Sequence, residues 1–283
     1  MIEVNELFSF FRHPQRYFFR ELGIRFNNHD SKSEEREPFA IGKLEGYGIY
    51  QDWIAAELNG DTLSVKKIQA QGLWPSGVVG ELAFNRQQLM IAEFVERIKL
   101  KNIGERLDDL PIDIKIGQHH LVGKLSNRYE NGLLLYRYAD LKGKDFVTAL
   151  LHHLISHQQQ PQTTYLLSND KNAKVQDLIL PPEIVDSGHL LAWLEIYQRG
   201  LQQPNAFFVE AAFAYIQQAR SKRATISPLD KAKDHLAHAL TKEYEHELKL
   251  LCRNVTDMNE VLNEDFEQQC QNLLQPVWDA LHD

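Results

Sequence analysis

Between residues 112 and 116 the chain reads Ile-Asp-Ile-Lys-Ile. A period of two places Ile112, Ile114 and Ile116 on one face and Asp113 and Lys115 on the other, as in a half-buried strand. Residues 120–129 and 132–138 continue in this texture, with Glu130, Asn131 and Gly132 as the turn between two further strands. Residues 144–157 then change period: Phe146, Leu150, Leu151, Leu154 and Ile155 recur at helical spacing, so a helix covers the sheet. Short β-rich runs at 163–167 and 175–180 extend the pattern. The expectation is an α/β core.

The residues before this core are predicted mostly helical. Asn5 is a candidate cap for a first helix, Pro14 suits the first turn of a second, and Gly23 suits its end. A helix over 46–58 carries Trp53 on its inner side and stops at Asn59-Gly60-Asp61. Another starts near Leu63 and ends before the structured turn around Trp74. Over 85–101, Leu89, Ala92, Phe94, Val95 and Ile98 mark a helical face. Residues 27–38 are polar and aperiodic, the composition of a mobile loop. After the core, Asp186 or Ser187 caps a helix that ends near Gly200, residues 211–219 form another, and 230–251 read as one strong helix. The acidic segment 257–281 is also predicted helical.

Charge is informative through its distribution. The net formal charge is −8, unfavourable overall for a polyanion. Yet Arg12, Arg16, Arg20 and Arg25 face only Glu21 across residues 11–25. Arg220, Lys222, Arg223, Lys231 and Lys233 face only Asp230 across 220–233. Local basic surfaces are compatible with an acidic whole. Aromatics interleaved with arginine near the N-terminus suit single-stranded nucleic acid, although Phe8, Phe11 and Phe18 also fit a core. Arg12, Arg16, Arg20, Arg220, Lys222 and Arg223 are the candidate DNA contacts. The two cysteines, Cys252 and Cys270, have neither disulfide-framework nor zinc spacing, which favours a reducing, cytoplasmic setting. No apolar run approaches the ~18 residues of a membrane span.

Enzymatic motifs are absent: no phosphate loop, nucleophile elbow or HExxH occurs. His153 and His157 stand four apart on a predicted helix but lack a third metal ligand. His119 and His120 point to opposite faces of a strand, and His235 and His238 fit a solvated helix face. No metal and no cofactor are expected.

Four segments carry a family resemblance: NELFSFFRHPQRYFFRELGIRF, EEREPFAIGKLEGYGIYQDWI, LVGKLSNRYENGLLLYRYADL and LDKAKDHLAHAL. In this order they resemble the C-terminal domain of the bacterial exodeoxyribonuclease V gamma chain family, RecC. The resemblance implies a restriction-endonuclease-like (PD-(D/E)xK nuclease-like) fold. Its expected layout is one domain over 1–283, with a helical N-terminal part over 1–108 and the nuclease-like α/β core over 109–283.

In active relatives of that fold, Gly-x-x-Asp precedes Asp-x-Lys on the next strand. Here Gly123 is kept, but Ser126, Tyr136 and Tyr138 stand at the two acids and the lysine. Two-metal phosphodiester cleavage needs carboxylates to hold the ions, so the resemblance implies a non-catalytic domain. Some relatives begin with a Cys-Pro pair that helps hold an iron–sulfur cluster; His13-Pro14 stands there. The implied setting is the RecBCD helicase–nuclease, with the beta and alpha chains (RecB and RecD) and DNA as partners and no membrane. The alternatives are a divergent metal-dependent nuclease built on Asp113, Asp140 or Glu130, and a pure docking module. Exposed Trp53, Trp74 and Trp193 would favour the latter.

Overall fold

The computed structural model describes residues 1–26, 43–169, 177–185, 188–222 and 224–281. The predicted mobile loop at 27–38, the candidate caps Asp186 and Ser187, and Arg223 lie outside the described residues.

Strand periodicity produces two small mixed sheets rather than one. In the first, β1 (Ile2–Glu3) pairs parallel with β3 (His119–Leu125), which pairs antiparallel with β2 (Leu110–Ile116). In the second, β4 (Arg128–Tyr129), β5 (Gly132–Arg137), β6 (Thr164–Ser168) and β7 (Asp177–Leu180) lie in that order. The hairpin turn falls at Glu130 and Asn131, as predicted. The strand over 120–129 is broken, however, at Asn127, whose φ of 64° lies in the left-handed region. That kink sends β3 and β4 into different sheets. Gly132 adopts φ 152°, and a Cβ there would lie 2.4 Å from the Thr163 carbonyl oxygen, so β6 approaches β5 closely only because this residue is glycine.

β5 and β6 are parallel and joined through α6 (Gly143–His157). Alternation along β5 gives the sheet two apolar faces. Leu133 and Leu135 face the cluster containing Phe146, Leu150 and Leu154 of α6. Leu134, Tyr136 and Tyr138 face α3 (Lys43–Leu58) and α5 (Gly77–Lys99), where Trp53, Phe84, Ile91 and Phe94 are buried. A fully buried side chain of this size contributes roughly 1.5–3 kcal/mol. Trp53 stacks on Phe84 at 4.3 Å, and the Trp74 indole N–H donates to the Gly80 carbonyl at 2.8 Å. Trp53, Trp74 and Trp193 are all buried, so none provides a docking surface.

Helix ends follow their sequence signals at α2 (Pro14–Glu21) and α3 but not at the start of α1 (Val4–Arg12), where Asn5 is not the cap. α1 begins one residue before Asn5, with Glu3 at its cap position and no side-chain cap bond. α2 has Pro14 in its first turn. It ends in a Schellman motif: the Gly23 N–H donates to Arg20 O and the Ile24 N–H to Phe19 O, with Gly23 at φ 76°. Gly60 ends α3 in the same way, and α4 is confined to Val65–Ala70. Along α5 the buried residues are Gly80, Phe84, Ile91, Phe94, Val95 and Ile98. Leu89, expected on that face, is instead 70% exposed. Ile91 lies about 200° from it around the helix, and the core takes the Ile91 side.

α7 (His189–Gly200) and α8 (Val209–Ala219) complete the layer against α6. The helix predicted over 230–251 is two: α9 (Pro228–Leu240) and α10 (His246–Leu251), separated by a turn at 241–245. The final segment comprises α11 (Glu264–Gln269), a π-helical turn at Cys270–Leu274 and α12 (Gln275–Ala280). Residues 1–108 are shared between the two cores: α1 and α2 join α6–α8, while α3–α5 form the second cluster.

Candidate nucleic-acid interface

A cleft of about 1150 Å³ opens between α1, α2, the start of α6, α8 and α9. Asn5, Phe8, Ser9 and Arg12 line it from one face of α1, at the i, i+3, i+4 spacing of helix neighbours. His13, Arg16 and Arg20 follow from α2. Lys124, Ser126 and Asn127 enter where β3 ends. Asp140 and Lys142 come from the β5–α6 connection, Lys144 from α6, Lys231 from α9 and Lys242 from just beyond it. Eight Lys and Arg side chains thus meet three acids, Asp140, Glu210 and Glu245. On a chain of net charge −8 this is a concentrated positive field.

Most of these cations are free. Arg12, Lys124, Lys142, Lys144, Lys231 and Lys242 form no ion pair among the described residues, whereas Arg16 pairs with Glu247 at 3.1 Å and Arg20 with Glu6 at 3.1 Å. The Lys144 ammonium is held below its ordinary pKa, first by burial and then by Lys142, Arg12 and Arg137, with Asp145 opposing. An ammonium held down by burial and by neighbouring cations gains when an anion arrives. Glu210 accepts the N–H groups of Gly143 and Lys144 at 2.8 and 3.1 Å, which satisfies the start of α6. Aromatic faces are also present: Phe8 stacks on His152 at 4.2 Å, and Tyr17, Phe213 and Tyr244 line the walls.

Of the candidate DNA contacts, the structure brings Arg12, Arg16 and Arg20 together in the cleft. Arg220 lies outside its lining and pairs with Asp279 at 3.3 Å, and Lys222 is exposed elsewhere. Lys124, Lys142, Lys144 and Lys242 carry no local signal. The run Asp140-Leu141-Lys142-Gly143-Lys144-Asp145 is balanced in charge, and only the fold sets its lysines against α1.

Ser126, Tyr136 and Tyr138, the three positions singled out by the family resemblance, do not share a site. Ser126 lines the cleft, while Tyr136 and Tyr138 pack on the opposite side of the sheet. Phe94 meets their rings edge-on at 6.3 and 5.3 Å, and Gln87 Nε2 donates to the Tyr138 hydroxyl at 3.0 Å. Burial pushes the Tyr136 hydroxyl up to about 12. Among the described residues no group of three or more His, Cys, Asp and Glu could hold a metal ion. His153 and His157 lie 6.4 Å apart by ring centroid, with His153 Nδ1 bonded to Thr164 Oγ1 at 3.0 Å. Asp113 is bound to His120 at 2.6 Å on an exposed strand face, away from Asp140 in the cleft wall. Among the described residues no helix is long and apolar enough to cross a membrane.

These features define a class no finer than a mixed α/β domain of two small sheets with a basic cleft on one side. The chain belongs to the RecC C-terminal domain family, whose model matches residues 1–220. It is 25% identical to the RecBCD enzyme subunit RecC of Escherichia coli (strain K12) over 224 residues, 76% of this chain and 19% of that protein. Against RecC of Buchnera aphidicola subsp. Schizaphis graminum, identity is 27% over 157 residues, 54% of this chain and 15% of the relative. The matched part is thus less than a fifth of either relative.

Proposed function

We propose that this domain is a non-catalytic, restriction-endonuclease-like part of a RecBCD helicase–nuclease, exodeoxyribonuclease V. In this reading it guides DNA strands and docks the beta and alpha chains, RecB and RecD, during recombinational repair of double-strand breaks in the cytoplasm. The observation that carries it is the cleft, where six Lys and Arg side chains without an ion pair among the described residues meet aromatic walls. That is the chemistry of a backbone-tracking groove. Lack of catalysis is supported by Ser126, Tyr136 and Tyr138, because no acid pair or lysine remains at those positions. A β-α-β crossover beside a hairpin is compatible with the nuclease-like core.

The docking part of this reading draws on α5. Val78, Leu82 and Leu89 share one face of that helix and are 71%, 64% and 70% exposed, and apolar faces of this kind mark interaction sites.

Two measurements test the proposal. Incubated with linear single- and double-stranded DNA and magnesium or manganese, the chain leaves both intact. Cleavage that copurifies with the protein and disappears in Asp140→Ala would refute the non-catalytic reading. In fluorescence anisotropy, the double variant Arg12→Ala/Lys142→Ala binds a single-stranded oligonucleotide more weakly, with a shallower salt dependence by roughly 0.7 per lost phosphate contact. Unchanged binding would remove the cleft from the proposal.

A further inference from the structure

Two of the eight cations in the cleft are already spoken for, and one of them in an unusual way. Arg16 is met by a single short segment, the 241–245 turn and the start of α10. Its Nη2 lies 3.6 Å from Glu245 Oε2 and donates to the Tyr244 carbonyl at 3.3 Å, while its Nε donates to Glu247 Oε1 at 3.1 Å. The Glu245 carboxylate also accepts from His13. His13 Nδ1 accepts the Arg16 backbone N–H at 3.1 Å, so Nε2 carries the proton and donates to Glu245 Oε2 at 2.9 Å. The Glu245 side chain is 17% exposed, yet the cleft lining includes it.

A carboxylate so far from water is stable only while its partners hold it. Arg and His present N–H donors equally suited to a phosphate oxygen. The turn that carries Glu245 has few apolar contacts of its own: Thr241 and Tyr244 are exposed, the first buried apolar anchor beyond it is Leu248, and the polar ties to His13 and Arg16 hold it in place.

We infer that Glu245 is an internal counter-anion, holding on His13 and Arg16 the place that a nucleic-acid phosphate takes when a strand enters the cleft. This deepens the proposed function of the cleft and rests on it. Arg12, Lys142 and Lys144 offer their charge to an incoming strand directly. The phosphate nearest Arg16 must first displace a carboxylate of the protein. The domain therefore binds with one contact fewer than its charge allows, and movement of the 241–245 turn sets whether that contact is available.

The experiment is fluorescence anisotropy of the whole chain with a ~20-nucleotide oligo(dT) over a salt series. Glu245→Gln keeps the shape and removes the charge. One added phosphate contact on a single strand steepens the log–log salt slope by about 0.7, which corresponds to roughly fivefold tighter binding at ~0.1 M salt. Circular dichroism checks that the variant is folded. If it is not, Glu245→Asp, which withdraws the carboxylate by one methylene, takes its place, with tighter binding and a steeper slope again expected. The inference is overturned if Arg12→Ala/Lys142→Ala weakens binding while removal or withdrawal of the Glu245 charge changes neither affinity nor slope. If Arg12→Ala/Lys142→Ala has no effect, it is the nucleic-acid reading of the cleft itself that fails.

Discussion

Tyr136 on β5 and Tyr138 just beyond its end point to the same side of the sheet, and their rings are part of the second core. Tyr138 is 8% exposed, touches Phe94 and Tyr50 edge-on, and accepts a hydrogen bond from Gln87. The two aromatics therefore have a structural role of their own: they fill the space between the sheet and α5. Tyr136→Asp with Tyr138→Lys places two charges beside Phe94 and Tyr50 and removes two packed rings. Burying an unpaired charge and truncating core aromatics both belong to the most damaging classes of substitution. The expected loss is at least ~3 kcal/mol, read by urea denaturation, with no gain of metal-dependent cleavage. A double variant as stable as the parent would show that this face of the sheet is loosely packed.

At the scale of elements, α9 presents Lys231 and His235 to the cleft and depends on a strong start. Ser227 Oγ accepts the Asp230 N–H at 3.0 Å and donates to Asp230 Oδ2 at 2.7 Å, with Pro228 at the first position. Ser227→Ala is expected to cost about 1 kcal/mol, measured as a lower denaturation midpoint at unchanged m-value; no shift would mean that packing on α8 alone sets the helix. Several local starts and stops were legible in the sequence: Pro14, Gly23, Gly60 and the Glu130–Asn131 turn act as their chemistry dictates, whereas Asn5 caps nothing and the Ser227–Pro228 start lies two residues before the predicted one. The division of 230–251 was not. Ala232, Leu236, Ala239, Tyr244 and Leu248 keep helical spacing straight through the break, which is held instead by ties from Arg16 and His13 to Tyr244 and Glu245, more than 220 residues away in sequence. The cleft was half legible for the same reason. Arg12, Arg16 and Arg20 form a local run, whereas Lys124, Lys142, Lys144 and Lys242 converge on them only through the packing of β3, α6 and α9.

For the molecule as a whole, the central helix α6 makes stability depend on pH. His152 is buried, stacks on Phe8 and bonds to the Thr148 carbonyl at 2.8 Å; His153 is buried beside Thr164. Burial pushes both imidazoles down from an ordinary value near 6.5 to about 4. A histidine with a depressed folded pKa is neutral in the native state where the unfolded chain already binds a proton, so its protonation favours unfolding. Stability is therefore at its full value above about pH 6.5 and falls as the pH drops towards about 4. Half-buried His235 is depressed in the same direction. Since one pKa unit corresponds to about 1.4 kcal/mol, the pair is expected to lower Tm by several degrees between neutral and mildly acidic solution. Carboxylates add their own acid dependence, so the informative quantity is the difference between proteins. His152→Phe keeps a ring against Phe8 and removes one titrating group, and its Tm should fall less steeply than that of the parent as the pH is lowered through this window. Parallel Tm profiles for the two would show that His152 does not carry the acid sensitivity, and that the fold loosens elsewhere first.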